Sequence, residues 1–215
     1  MTFDINNVSP TIKHAILRSQ VPMKTIGMEF SDLDDSKARQ VVEAWVDTVT
    51  SGMVIKSPGS PSSGLGILLI GEPGHGKTTM ASVALQALIK GMAFPTPRPG
   101  IFMDYPKFLR LEKESWVNED AKKDIQAIYG DDLKSYVPLF VLDDLGKEYR
   151  TQSGWSENIF DALLRARFNA GLPTIVTTNV PMNKWRVTYG EPMESFAHEA
   201  FVSVVVESEM GDRRK

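Results

Sequence analysis

The sequence predicts an α/β protein: a parallel sheet in three layers with helices on both faces. Three observations lead there. Short, unbroken apolar runs such as Ile67 to Ile70 and Leu139 to Leu142 have the length and composition of strands buried on both sides. Segments with apolar residues at spacings of three and four separate most of these runs, so strands and helices alternate along the chain. A glycine-rich turn, Gly71 to Gly76, stands between the first such strand and the helix after it.

The elements follow in order. Residues 9 to 19 read as a short helix with Ser9 as N-cap, Pro10 in the first turn and Ile12, Ala15 and Ile16 on one face. A longer helix begins near Asp35 and carries Ala38, Val41, Val42, Trp45, Val46 and Val49 on the side that packs. The run from Lys56 to Gly66 is rich in Pro, Gly and Ser and reads as a surface loop leading into the sheet. After the glycine turn, a helix starting near Lys77 shows Met80, Val83, Ala84, Ala87 and Leu88 on one side and stops at Gly91. Further strands are expected at Ile101 to Met103, Leu139 to Leu142, Thr174 to Thr177 and Val202 to Val206, joined by right-handed crossovers. The four tryptophans, Trp45, Trp116, Trp155 and Trp185, are assigned to packing.

Composition narrows the function classes. A chain of 215 residues accommodates one sizeable core with an appendage. Its apolar content of 42% and charged content of 24% are those of a soluble globular protein, and no apolar run is long enough to span a membrane. The N-terminal stretch lacks a basic segment followed by an apolar one, so no secretion signal is expected. With no cysteine, thiolate metal sites and disulfides are excluded, and a cytoplasmic location fits. The net charge of −3 gives no overall basic footprint, so any nucleic-acid contact has to come from a local patch.

The strongest motif is Gly71-Glu72-Pro73-Gly74-His75-Gly76-Lys77-Thr78, which fits the phosphate-binding pattern GxxxxGK[S/T] and continues into Thr79. Glycines let backbone N–H groups close around phosphates, and the following helix turns its positive end toward them. In that reading Lys77 reaches the β and γ phosphates of ATP and Thr78 ligates Mg2+. A second element is the strand Leu139 to Leu142 running into Asp143 and Asp144. The first acid is assigned to magnesium and the second to the attacking water; a solvated strand exit is the competing reading of Asp-Asp-Leu-Gly alone. Third, Thr174 to Thr178 ends in Asn179. If that strand lies between the other two, the Asn179 amide reaches the γ phosphate or its water; a lone Asn there otherwise serves a turn.

With these three elements in place, the chain resembles the AAA+ ATPases, and within them the DnaC-type helicase loaders and the related IstB-type transposition ATPases. The resemblance rests on LLIGEPGHGKTTMASVAL, LFVLDDLGKE and RARFNAGLPTIVTTN, which together span Ile67 to Asn179. It also covers VPMKTIGMEFSDLD, similar to the stretch that leads such domains into their first helix and covers the adenine. Gly211-Asp212-Arg213-Arg214 is similar to the family's closing Gly-x-x-Arg element, which makes Arg213 or Arg214 a candidate second sensor. The resemblance implies an arm and entry segment over residues 1–33, an ATPase domain over 34–215 with no separate C-terminal lid, and a bacterial or bacteriophage source. It also implies an ATP-driven loader of a hexameric DnaB-type helicase onto single-stranded DNA, oligomeric with ATP bound and gripping the helicase through the N-terminal arm. The competing functions are an IstB-like regulator on duplex DNA and a non-catalytic ATP-binding adaptor.

The chain departs from that pattern at Glu194-Ser195-Phe196-Ala197-His198, where the family carries a Ser-Arg pair whose arginine enters a neighbouring subunit's site. Phe196 occupies the expected arginine position, which implies weak hydrolysis in an isolated assembly, and Arg186 is the candidate substitute. Glu148, close after Asp143, is placed near the site or in a surface pair. For single-stranded DNA, Lys107, Arg110 and Lys113 recur at spacing three with Phe108 between them, giving cations for phosphates and a ring for a base. Since Glu112, Glu114, Glu119 and Asp120 follow, a solvated mixed-charge face is the alternative.

Overall fold

The structure is a computed structural model that describes residues 8–51, 66–92, 98–131, 135–146 and 154–207. The strands β1 (Gly66–Ile70), β2 (Gly100–Asp104), β3 (Leu139–Leu145), β4 (Thr174–Thr178) and β5 (Phe201–Val205) form one sheet in the order β2-β3-β4-β1-β5. Every pairing is parallel. All five residues of β1 and of β4 are buried. Successive side chains of a strand point to opposite faces, so both faces of the sheet are covered, as the unbroken apolar runs require.

Helix α1 (Pro10–Arg18) has Ser9 as its N-cap, the hydroxyl accepting from the Ile12 N–H, with Pro10 in the first turn. It buries Ala15 and Ile16, packs against β2 and against α3 (Lys77–Gly91), and does not stand off the domain. The residue that follows α1 also covers a sheet edge. Strand β2 is an edge strand, and its Phe102 N–H, which faces outward, donates to the Ser19 carbonyl at 2.6 Å. Helix α2 (Lys37–Thr50), capped by Ser36, packs against α3 and β5 through Ala38, Val42, Trp45, Val46 and Val49. The loop expected over Lys56 to Gly66 lies, apart from Gly66, outside the described residues.

On β2 and β3 packs α4 (Tyr105–Glu114), followed by α5 (Glu119–Tyr129) and, after β3, α6 (Trp155–Ala170), which ends at Gly171 in the left-handed conformation. The short α7 (Trp185–Tyr189) and α8 (Glu191–Ala200) lead back into β5. Trp45 and Trp185 are buried as expected, whereas Trp116 is 68% exposed and meets only the edge of Trp155, centroids 6.1 Å apart, in the ring contacts described. Its assignment to packing is therefore corrected: it lies past the end of α4, beyond the sheet that would cover it.

Because all strands are parallel, their C-terminal ends share one edge of the sheet. The order then places the glycine turn after β1, the Asn179 exit of β4 and the Asp143 end of β3 side by side. A crevice beyond the carboxyl ends of strands is where open α/β sheets bind ligands.

Candidate functional site

At that edge a cleft of about 350 Å³ is lined on one side by Pro73, Gly74, Gly76, Lys77, Thr78 and Thr79 and on the other by Asp143, Asp144 and Asn179. Gly74 and Gly76 both have φ near +88°, a conformation that side chains resist, and Gly76 is the N-cap of α3. The first-turn amides of α3 are left without a side-chain cap at the mouth of the cleft. At Gly71 the constraint is close approach instead: a Cβ there would lie 2.3 Å from the Val206 carbonyl just past β5. His75 Nδ1 lies 3.3 Å from that same oxygen, so the loop is anchored on the last strand.

Lys77 is 5% exposed and its ammonium donates to the carbonyls of Gly71 and Glu72, each at 2.8 Å. The Thr78 hydroxyl donates to the carboxylate of Asp143, 3.1 Å from both of its oxygens. Asp143 also receives the Thr177 hydroxyl at 2.6 Å. Asp144 has φ +61°, unusual for a residue with a side chain, and its N–H donates to Thr177 Oγ1 at 2.9 Å. Asn179 also lines the cleft, and its buried Oδ1 has no hydrogen-bond partner among the described residues.

These residues fit ATP with magnesium. A cation on flexible loop contacts, a helix N-terminus, a hydroxyl beside a carboxylate and an unpaired amide oxygen are the donor and acceptor set for a polyphosphate and its metal. The entry segment, expected to cover the adenine, lines the cleft through Pro22 and Lys24. Sequence reasoning missed two contributors: the buried Gln86 amide fixes that segment by accepting from Gly27 N–H at 2.9 Å and donating to the Thr25 carbonyl at 2.8 Å. Thr177 escaped because a threonine in a strand is ordinary by propensity.

Other expected residues fare differently. Phe108 is fully buried, with ring centroids of Phe140, Tyr129 and Tyr105 at 5.9, 6.3 and 6.4 Å, so its role as a base-stacking ring is corrected. Helical phase explains it: α4 turns Tyr105 and Phe108 onto the sheet and leaves Lys107, Arg110 and Lys113 on the exposed side. Of these, Lys107 donates to Gln20 Oε1 at 2.6 Å and Lys113 lies 4.9 Å over the Trp155 ring. Phe196 packs on Phe168 at 5.3 Å, and the Arg165 guanidinium sits 4.3 Å from its centroid. Arg186 pairs with Glu191 at 2.8 Å. Glu148, Arg213 and Arg214 lie outside the described residues.

No protein-family profile matches the chain, and no curated protein does. Solved structures do. The DnaC helicase loader is matched with a TM-score of 0.63 at 21% identity, over 86% of this chain and 100% of that one. DnaI is matched with 0.61 at 22%, over 91% and 95%. The replication initiator DnaA bound to AMPPCP and single-stranded DNA is matched with 0.63 at 14%, over 90% of this chain and 53% of that one. With its sheet order, its glycine loop and these likenesses in backbone, the chain has the AAA+ P-loop ATPase fold.

Proposed function

We propose that the protein is an ATP-dependent loader or remodeller of a hexameric replicative helicase on single-stranded DNA, cytoplasmic, with ATP binding and slow hydrolysis as its switch. The observation that carries this reading is the likeness in backbone to the whole of the solved DnaC helicase loader chain, together with the cleft assembled at the C-terminal edge of the sheet. In it, Gly74, Gly76 and the first turn of α3 hold the phosphates, and Lys77 moves from loop carbonyls to phosphate oxygens. Thr78 and Asp143 hold Mg2+, which when bound neutralises phosphate charge and polarises the γ-phosphoryl group. Asp144 orients the water, and Asn179 registers the γ position. Arg213, at the C-terminal end, is proposed as a second sensor.

The test is reconstitution: purified hexameric helicase, circular single-stranded DNA, and this protein with ATP or ADP. Helicase transfer onto the circle in one nucleotide state only is expected; no transfer and no complex in either state rejects the reading. Asp144→Asn is expected to retain ATP affinity within a few-fold and Asp143→Ala to retain it for nucleotide without magnesium, while in both single-turnover hydrolysis falls at least a hundredfold. The partner contact is proposed on the exposed side of the arm, where Leu17 is 51% and Met23 83% exposed. Point changes such as Leu17→Glu test it better than deletion, because removing α1 would also strip Ser19 from the β2 edge.

A second reading, an ATP-binding adaptor whose hydrolysis is dispensable, is favoured by Phe196, whose ring is held between Phe168 and Arg165 and offers a transition state no charge. Phe196→Arg separates the two. For the loader, hydrolysis should rise with protein concentration, since a contact in trans needs assembly; a rate flat at all concentrations, with loading intact in Asp144→Asn, favours the adaptor.

A further inference from the structure

The β3–β4 ladder contains an irregularity at the site itself. Pairing runs in register from Phe140 opposite Thr174 to Leu142 opposite Val176, then breaks and resumes with Leu145 opposite Thr178. Three steps on β3 are thus matched to two on β4, so β3 carries one extra residue, a bulge that falls on Asp143 and Asp144. Such a bulge removes ladder partners from the backbone and re-aims side chains. Here two adjacent threonine hydroxyls of β4 replace them. Thr178 Oγ1 donates to the Leu145 carbonyl at 2.8 Å, and Thr177 Oγ1 accepts the Asp144 N–H at 2.9 Å while giving its own proton to Asp143 Oδ1 at 2.6 Å.

Building on the ATP-magnesium reading of the cleft, we infer that Thr177 is the positioning residue of the magnesium site: its buried hydroxyl sets the Asp143 carboxylate beside Thr78 and holds Asp144 in its left-handed conformation. The geometry leaves little else for this hydroxyl to do. Thr177 is fully buried, so the group does not serve solvation, and a hydroxyl has one proton, which goes to Asp143. Without it the Asp144 N–H loses the Thr177 acceptor, a bond made at the strained residue of the bulge. Asp143 would keep Thr78, but Thr78 sits equally far from both oxygens, whereas Thr177 bonds one of them and so selects the orientation. Thr177 also lies two residues before Asn179, which stands directly after the end of β4.

The experiment compares the parent with Thr177→Val, which keeps the shape and removes the hydroxyl, and Thr177→Ser, which keeps the hydroxyl. A non-hydrolysable ATP analogue is titrated calorimetrically with magnesium and with EDTA. Removing a partner that orients a ligating carboxylate costs about ten- to hundredfold in metal affinity. Thr177→Val should therefore lose ten- to hundredfold of its magnesium-dependent affinity, with affinity in EDTA within threefold of the parent, and Thr177→Ser should recover it. In an Asp143→Asn background, Thr177→Val should add nothing. Parental magnesium dependence in folded Thr177→Val overturns the inference. Should that variant fail to fold, as read by circular dichroism, Thr177→Ser decides, since a folded Ser variant without magnesium dependence overturns the inference equally. A parent that shows no magnesium-dependent nucleotide binding would instead reject the ATP reading on which this rests.

Discussion

The two edges of the sheet each bury a cation, and they treat it in opposite ways. At the N-terminal edge, Arg167 of α6 is fully buried, and its five N–H groups meet oxygen acceptors: Thr174 Oγ1 and the carbonyls of Ile128, Val137, Pro138 and Pro173, at 2.5 to 3.0 Å. None of these acceptors is charged. The guanidinium also lies 5.3 Å from the Phe140 ring centroid. It ties α5, β3, α6 and β4 together where the strands begin. At the C-terminal edge, Lys77 is almost as buried, yet it donates to the carbonyls of Gly71 and Glu72 in its own loop and lines a cleft. A cation whose donors are used up by several elements is a fastening; one held by its own loop beside a cleft is available to exchange those contacts for a ligand.

The fastening gives the largest expected effect. Arg167→Met keeps most of the volume but strands the three buried carbonyls of Ile128, Val137 and Pro138, each of which costs about 1 kcal/mol or more when unpaired, while the Pro173 carbonyl keeps the Phe140 N–H. A loss of about 3 to 5 kcal/mol in urea unfolding is expected, with nucleotide affinity unchanged in the protein that remains folded. Burial pushes the guanidinium pKa down to about 9, still above neutral pH, so it stays charged when the protein works. Its folded pKa lies below the unfolded one, so the unfolded chain binds the proton better between these values. The burial cost is therefore constant below about pH 9 and is relieved only above it. An Arg167→Met variant as stable as the parent would show that the acceptors are satisfied otherwise.

Next comes Lys77→Ala, the mirror of that test. Removing the Lys77 cation from the phosphate loop should lower ATP affinity by about ten- to hundredfold in calorimetric titration, on the scale of charged hydrogen bonds. Stability should change by less than about 1 kcal/mol, since Gly71, whose carbonyl it leaves, is only half-buried and Glu72 is exposed. If Lys77→Ala unfolds the protein while binding survives, the two edges are not different in kind.

How legible this contrast was in the sequence depends on what sort of pattern each half leaves. The glycine loop is local, eight consecutive residues whose types are dictated by backbone conformation and charge, and Asp143 and Asn179 stand at the ends of apolar runs. Their convergence needed only the strand order, which the expectation for Asn179 named as its condition. Arg167 leaves no such trace, because its acceptors are main-chain oxygens at 128, 137, 138 and 173, which any residue supplies. The bulge at Asp143 and Asp144 is equally silent, since it is a relation between two strands distant in sequence. Phe108 shows the opposite failure. Its position among basic residues was read as a linear neighbourhood, and a helix separates residues one apart by about 100°.

The smallest expected effect extends the comparison to a buried charge of the other sign. Glu112 of α4 is 6% exposed, and among the described residues its carboxylate takes a hydrogen bond from the Tyr129 hydroxyl at 2.6 Å. Desolvation raises its pKa above 4.5, the Tyr129 bond acting against that rise, so the folded state holds the proton more firmly than the unfolded chain. Stability from this group is present below the unfolded value and declines as pH rises through the folded one. If only saturation makes a buried charge a fastening, Glu112, with one neutral partner, should be one the fold gains by losing. Glu112→Gln keeps an oxygen for Tyr129 and removes the charge, so at neutral pH it should leave stability equal or raise it by up to about 1 kcal/mol. That gain should shrink as pH falls toward 4.5, where the parent carboxyl becomes neutral as well. Urea unfolding of both proteins at several pH values reads this directly. A Glu112→Gln variant that loses 2 kcal/mol or more at neutral pH would mean that the anion is held by more than Tyr129, and that counting acceptors and donors does not by itself tell a fastening from a liability.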